Sequence, residues 1–354
     1  MPTLHVFNPW HDEALASFDA YYYPTVPARQ LARAWGALPA LWAEVGDVVW
    51  LTDEAAPLPP FAPDGLRWVR GKRWPRGLWQ EVERVEPWGW DPLLRQRLLK
   101  LGAPAACLPS DGHLQTLRQW SSRATGVLVL QALRRVCPGS VGEARVCTTL
   151  QQVLAQVQEH GRVMVKSLWS CSGRGVFAVQ GQLTPGDAGR IGRLLREHGG
   201  VEVEPYYAPV LNFALEFCAD AAGHVFYEGL SLFGTNAQGA YMGNRFAPPA
   251  VMMQQLADAG GPDAAALEAL AARCCQVLAA TYTGYRGPLG IDMMLVRPAA
   301  PSSAPLLHPC IEVNLRRTMG HVALHAARCP QAAEWLTEAQ REVLTQWHYA
   351  TVPG

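Results

Sequence analysis

Gly290-Ile291-Asp292-Met293-Met294 and, beyond a Pro/Ala/Ser-rich interruption, Ile311-Glu312-Val313-Asn314-Leu315-Arg316 decide the reading of this chain. Both runs are apolar and strand-like, and each carries a carboxylate where burial is costly unless a cation meets it. Side chains alternate along a strand, so Glu312 and Asn314 share a face, and an antiparallel neighbour can bring Asp292 to that face. Three hard oxygen ligands around one point suit Mg²⁺ or Mn²⁺. The plainer alternative is a pair of structural salt bridges to Arg286, Arg316 or Arg317. The twelve residues 296–307 then read as an elongated turn between two ligand strands.

Upstream, Arg162-Val163-Met164-Val165-Lys166 predicts a strand after the helix stop His160-Gly161, and it ends in a charge that needs a counter-charge. The turn Ser170-Cys171-Ser172-Gly173-Arg174-Gly175 follows, with amides and hydroxyls able to wrap phosphate groups, and then a strand over 176–179. An ordinary hairpin with a surface Lys is the alternative. Residues 201–204 predict a strand running into Pro205-Tyr206-Tyr207, where a free carbonyl and amide could read the edge of a base. A Pro-terminated strand with core aromatics fits the same pattern. Residues 211–217 and 225–232 predict an antiparallel pair turning at Ala222-Gly223, and 264–281 a helix.

The N-terminal third reads as α/β: a strand Leu4-His5-Val6-Phe7, a turn at Asn8-Pro9, a helix entered through Trp10-His11-Asp12-Glu13, a helical stretch over 27–42 and a strand over 48–52. Periodicity fails over 55–92, where Trp68, Trp74, Trp79, Trp88 and Trp90 predict irregular chain ordered by aromatic packing. Helices over 91–100 and 114–135 follow, and a first lobe closes near residue 120. His11 either lines a cleft or belongs to a capping turn, for which Asp12 and Glu13 suit a helix N-terminus. Pro87-Trp88-Gly89-Trp90-Asp91 offers aromatic faces for a ligand or simply packs a core. Residues 239–245, ending in Arg245, form a polar lid or a surface loop. Ser121-Ser122-Arg123 begins a helix, with Arg123 near a ligand or solvated.

With 354 residues the chain divides into two or three lobes, and Lys+Arg 30 against Asp+Glu 30 leaves no net field to draw nucleic acid or an anionic membrane. No run is expected to span a membrane and no leader is read at the N-terminus. Nine Cys without CxxC spacing read as buried thiols in a reducing, cytoplasmic compartment, and no Cys/His spacing speaks for zinc.

Taken in order, the Lys-terminated strand, the small-residue loop, the Val-Glu-Val-Glu-Pro-Tyr linker, the Asp strand and Glu-x-Asn-x-Arg resemble the ATP-grasp superfamily over about residues 120–330. The resemblance implies an α/β (α+β) fold in which two α+β subdomains, 121–205 and 206–354, clamp ATP behind an N-terminal α/β lobe, 1–120. It implies that Lys166 touches the α/β-phosphates, that Ser170, Ser172, Gly173, Arg174 and Gly175 cover the β/γ-phosphates, and that Glu204 and Tyr207 meet adenine through backbone groups. Asp292, Glu312 and Asn314 would hold Mg²⁺, and Arg316 would neutralise the transferred phosphoryl group. Two departures stand out. Asn212 occupies the place where the family commonly has an acidic residue for ribose. Gly290 stands where many peptide-type ligases carry Arg, which leaves Arg286, Arg245 or Arg316 to meet an anionic intermediate. The implied activity is ligation of a small-molecule or peptide carboxylate to an amine with release of ADP and phosphate. A small-molecule kinase and a non-catalytic nucleotide-binding protein stay open, and the Trp-rich stretch could supply a homodimer contact.

Overall fold

The computed structural model describes residues 2–169, 175–236, 241–298 and 304–336. They form two compact units, one gathering residues up to Arg118 with those from Val322 onward, the other spanning Gln119–His321.

In the first unit the chain runs β1 (Thr3–Val6), α1 (His11–Ser17), α2 (Val26–Trp35), β2 (Val48–Leu51), β3 (Arg67–Arg70), α3 (Leu78–Glu81), β4 (Arg84–Pro87), α4 (Pro92–Lys100) and α5 (Asp111–Trp120). The four strands pair in parallel in the order β3-β2-β1-β4. Two of them, β3 and β4, fall in the stretch expected to be irregular. They are four residues each, too short for alternation to stand out among Trp, Pro and Gly. The expected aromatic packing is present: Trp74 stacks on Trp79 at 4.8 Å, and Trp88 meets Phe7 edge-on at 4.8 Å. Asp91 caps α4 by accepting from the Leu94 amide at 2.8 Å, and Asn8 donates to both Asp91 and the Gly89 carbonyl.

The helix expected over 114–135 is broken. α6 (Arg123–Val136) starts afresh because the Ser122 hydroxyl caps it by accepting from the Ala124 amide. Then come β5 (Arg145–Cys147), α7 (Leu150–His160), β6 (Arg162–Ser167), β7 (Val176–Gln180), α8 (Pro185–His198) and β8 (Val201–Pro205). Thr149 and Thr184 each begin a helix with a reciprocal capping box. The strands form an antiparallel sheet in the order β5-β8-β6-β7, over a core of Val153, Val157, Val163, Val165, Ile191 and Val203.

The remainder builds β9 (Pro209–Ala219), β10 (Val225–Thr235), β11 (Tyr241–Asn244), α9 (Pro249–Asp258), α10 (Ala264–Thr281), β12 (Gly287–Val296), β13 (Leu306–Asn314) and α11 (Met319–Ala326). The five strands are antiparallel in the order β11-β10-β9-β12-β13. The segment read as a lid or loop is thus partly an edge strand, since Tyr241–Asn244 pairs with β10; residues 239–240 lie outside the described residues. α10 is long and apolar enough by composition to cross a membrane, contrary to the expectation that no segment is. Its Leu267, Leu270, Ala271, Cys274 and Leu278 are buried, and the helix packs on α6 and β10.

Candidate nucleotide and metal site

The site grows from the alignment of β9, β12 and β13. Asp292 on β12 lies opposite Glu312 on β13 and Ala214 on β9, and Gly290 lies opposite Asn314 and Glu216. Residues two apart on a strand share a face, so Glu216, Asp292, Glu312 and Asn314 stand on one side of the sheet. Asn314 Nδ2 donates to Asp292 Oδ2 at 3.3 Å. Burial and the facing Glu312 raise the Asp292 pKa to about 7, with Arg316, Asn314 and Arg123 acting in the opposite sense.

Glu312 is paired with Arg123, at 2.7 Å, a cation that the salt-bridge alternative did not name. Arg123 is buried and not solvated; its guanidinium also donates to the Ser167 carbonyl at 2.7 Å, which ties the end of β6 to β13. Burial works against its charge, and Glu312 and Glu202 outweigh that. Arg286 is exposed ahead of β12. Arg316 Nη1 donates to the Arg317 carbonyl at 3.1 Å.

Lys166 is no surface residue. It is 5% exposed on β6, with Nζ 3.1 Å from Glu202 and 2.8 Å from Glu204, both on the neighbouring β8 and equally buried. Burial opposes the ammonium charge, but the two carboxylates more than offset it and hold the pKa above the ordinary lysine value. Burial and Glu202 push the Glu204 carboxyl above its usual range against the pull of Lys166. Glu202 was legible: in Val201-Glu202-Val203-Glu204 the two acids alternate with valines and therefore share a face.

The Tyr207 ring meets His308 edge-on at 5.1 Å, and Tyr207 also bonds to the Glu143 backbone. His308 is fully buried with, among the described residues, neither ring nitrogen hydrogen-bonded, and burial together with Lys166 and Arg134 lowers its pKa to about 3. Asn212, on β9 opposite Met294, donates to the Thr235 hydroxyl at 3.2 Å. Ser170, Ser172, Gly173 and Arg174 lie outside the described residues; the Gly175 carbonyl accepts from the Ser167 amide at 2.9 Å. Arg245 is exposed just past β11, its amide bonded to Leu232. His11, in the first unit, is buried against Gly89 with Nδ1 3.8 Å from Asp91, so it neither faces solvent nor caps α1 through its side chain.

Sequence reasoning missed Glu216. It sits in an apolar strand, the same signal that singled out Asp292, and it is 1% exposed. A Cβ at position 290 would lie 2.5 Å from its Oε2, so the side chain absent at Gly290 leaves room for this carboxyl group.

Among the described residues no three His, Cys, Asp or Glu side chains form a ready metal cluster. Two partly exposed carboxylates opposed across a strand pair, one of them with a raised pKa, together with an amide oxygen, fit a cation that takes its other ligands from phosphate and water. Mg²⁺ is commonly held that way. Two cations, Lys166 and Arg123, stand on the carboxylates Glu202, Glu204 and Glu312 of the same network, an arrangement able to receive further anionic oxygens.

No family model matches the sequence, and no curated protein matches it. Solved structures do. Biotin carboxylase from Campylobacter jejuni, in a β-γ-ATP complex, is 14% identical with a TM-score of 0.51, covering 96% of this chain and 70% of that one. Rhizobium etli pyruvate carboxylase with acetyl coenzyme A is 15% identical with a TM-score of 0.52, covering 92% of this chain and 27% of that one. D-cycloserine synthetase DcsG is 14% identical at a TM-score of 0.48, covering 94% and 99%.

Proposed function

From the ATP-grasp fold that this chain adopts, we propose that it is a Mg²⁺- and ATP-dependent ligase. A substrate carboxylate attacks the γ-phosphorus and the β–γ bridging bond breaks, giving ADP and an acyl phosphate. An amine then attacks the acyl carbon and inorganic phosphate leaves. The observation that carries the reading is the buried pairing of Lys166 with Glu202 and Glu204 beside the Arg123–Glu312 bridge and the Asp292/Asn314 pair.

Lys166 holds its charge in a dry setting, where a phosphate oxygen would gain more from it than in water. Glu202 and Glu204 fix its direction and keep it charged while the site is empty of substrate. Arg123 steadies Glu312 and can itself turn toward a phosphate. Arg316, which follows Asn314 by two residues, is the cation assigned to the charge that develops on the transferred phosphoryl group. Asp292, Glu312 and Asn314 would hold the Mg²⁺, whose contribution when bound is to draw negative charge off the phosphates. Tyr207 and Glu204 would meet the adenine through their backbone groups, and Asn212 takes the ribose side. No protein nucleophile is required, since alignment and charge neutralisation suffice.

The purified protein is expected to release ADP and phosphate only when a suitable acid and amine are both present. With γ-labelled ATP, label appearing as free phosphate supports the ligase. Label held stably on a substrate hydroxyl would instead identify a kinase on the same scaffold.

A further inference from the structure

Glu216 sits beside the proposed metal end and is absorbed by none of the roles above. Ser231 Oγ donates to its Oε1 at 2.9 Å, and Thr318 Oγ1 donates to its Oε2 at 2.8 Å. His321 Nδ1 stands 3.1 Å from the same Oε2, both groups fully buried. That nitrogen accepts from the Thr318 amide at 3.1 Å, so it bears a lone pair. The other ring nitrogen faces two acceptors, the Phe217 carbonyl at 3.2 Å and Glu228 Oε2 at 3.5 Å, and therefore carries the ring hydrogen. A lone pair opposite an ionised oxygen would repel it; a carboxylic acid whose proton lies between Oε2 and Nδ1 makes the contact a bond. Burial, with the charge of Asp292 adding to it, pushes the Glu216 pKa up to about 8.

Two glycines make the arrangement sterically feasible. A Cβ at 290 would crowd Oε2, and one at 320 would fall on Oε1 and Ser231 Oγ. Neither has a positive φ, so glycine is there for space and not for backbone freedom. Thr318 Oγ1 in turn accepts from the Gly320 and His321 amides, which makes it the cap of α11. The five-residue span from Asn314 to Thr318, with Arg316 at its centre, is thereby held at one end by the metal strand and at the other by Glu216.

We propose that Glu216 is a positioning residue that acts as a neutral carboxylic acid, locking Thr318 and His321 and so fixing the turn that presents Arg316 to the reacting phosphate. The role of Arg316 rests on the ligase reading; the protonation pattern does not.

The test compares Glu216→Gln, Glu216→Leu and Thr318→Val in the full chain. The glutamine keeps a neutral side chain with donor and acceptor, and is expected to retain kcat within about threefold, while Glu216→Leu and Thr318→Val lose about 100-fold in kcat. All three should bind Mg-ATP within about threefold of the starting protein by calorimetry, since Lys166 and the metal carboxylates are untouched. Glutamine as damaging as leucine would show that an ionised carboxylate is needed and overturn the inference; leucine and valine variants with undiminished kcat would overturn it too. A readout independent of catalysis and of folding of the variants is the ¹⁵N spectrum of His321 in the unsubstituted protein. A neutral ring with hydrogen on Nε2 is expected, and an imidazolium signature would overturn the inference alone. Failure of the unsubstituted protein to bind Mg-ATP would instead sink the ligase reading, with the His321 spectrum still deciding the protonation pattern.

Discussion

Charged and titratable side chains buried in apolar strands set the chemistry at the scale of single residues. Lys166, Asp292 and Glu312 were singled out because such burial is expensive; only the lysine is buried, the two acids being half-buried, and the structure supplies counterparts, Glu202 and Glu204 for the lysine and Arg123 for Glu312. His308 is buried with, among the described residues, no hydrogen bond to either ring nitrogen, and it yields a pH prediction. Its folded pKa, about 3, lies below the ordinary histidine value, so on acidification the unfolded chain takes up a proton that the folded chain refuses. The contribution is intact above about pH 6.5 and is lost progressively as pH falls from there toward 3. Between pH 6.5 and 5 it should remove roughly 2 kcal/mol, at about 1.4 kcal/mol per pH unit. Urea unfolding of the protein and of His308→Phe at pH 7 and pH 5 tests this: the variant should lose less stability on acidification, and equal losses would refute it.

At the scale of elements, capping and strand alternation account for most boundaries. Thr149 and Thr184 mark helix starts through short-range hydrogen bonds that the sequence itself specifies. Replacing Thr149 by Ala is expected to destabilise the Gln119–His321 unit by about 1 kcal/mol, read as a lower denaturation midpoint with an unchanged slope. An unaltered midpoint would mean that the cap is energetically idle. The helices α9 and α11 escaped sequence reading, and so did four strands that share one property. β3, β4, β5 and β11 have only three or four residues, so pattern cannot separate them from loop, and they exist because neighbouring strands offer them hydrogen bonds. The break between α5 and α6 likewise depends on a single serine cap inside a long helical pattern.

For the molecule as a whole, ligand binding and stability are linked by mass action. Mg-ATP at 100 times its dissociation constant should stabilise the unit that holds residues 119–321 by about 2.7 kcal/mol, visible in calorimetry as a raised unfolding temperature. The double variant Asp292→Ala, Glu312→Ala should lose most of that shift. An equal shift in the variant would remove these residues from metal binding.

The sequence by itself determined the order of the main strands and helices and the strands that carry Lys166, Asp292, Glu312 and Asn314. Periodicity, caps and the cost of an unpaired charge act over a few residues, and a linear reading captures them. Only the tertiary structure decided which charge meets which. Arg123 reaches Glu312 across 189 residues and Thr318 reaches Glu216 across 102. Such partners are chosen by sheet register and by the room that Gly290 and Gly320 leave, and both arise only when distant segments pack together.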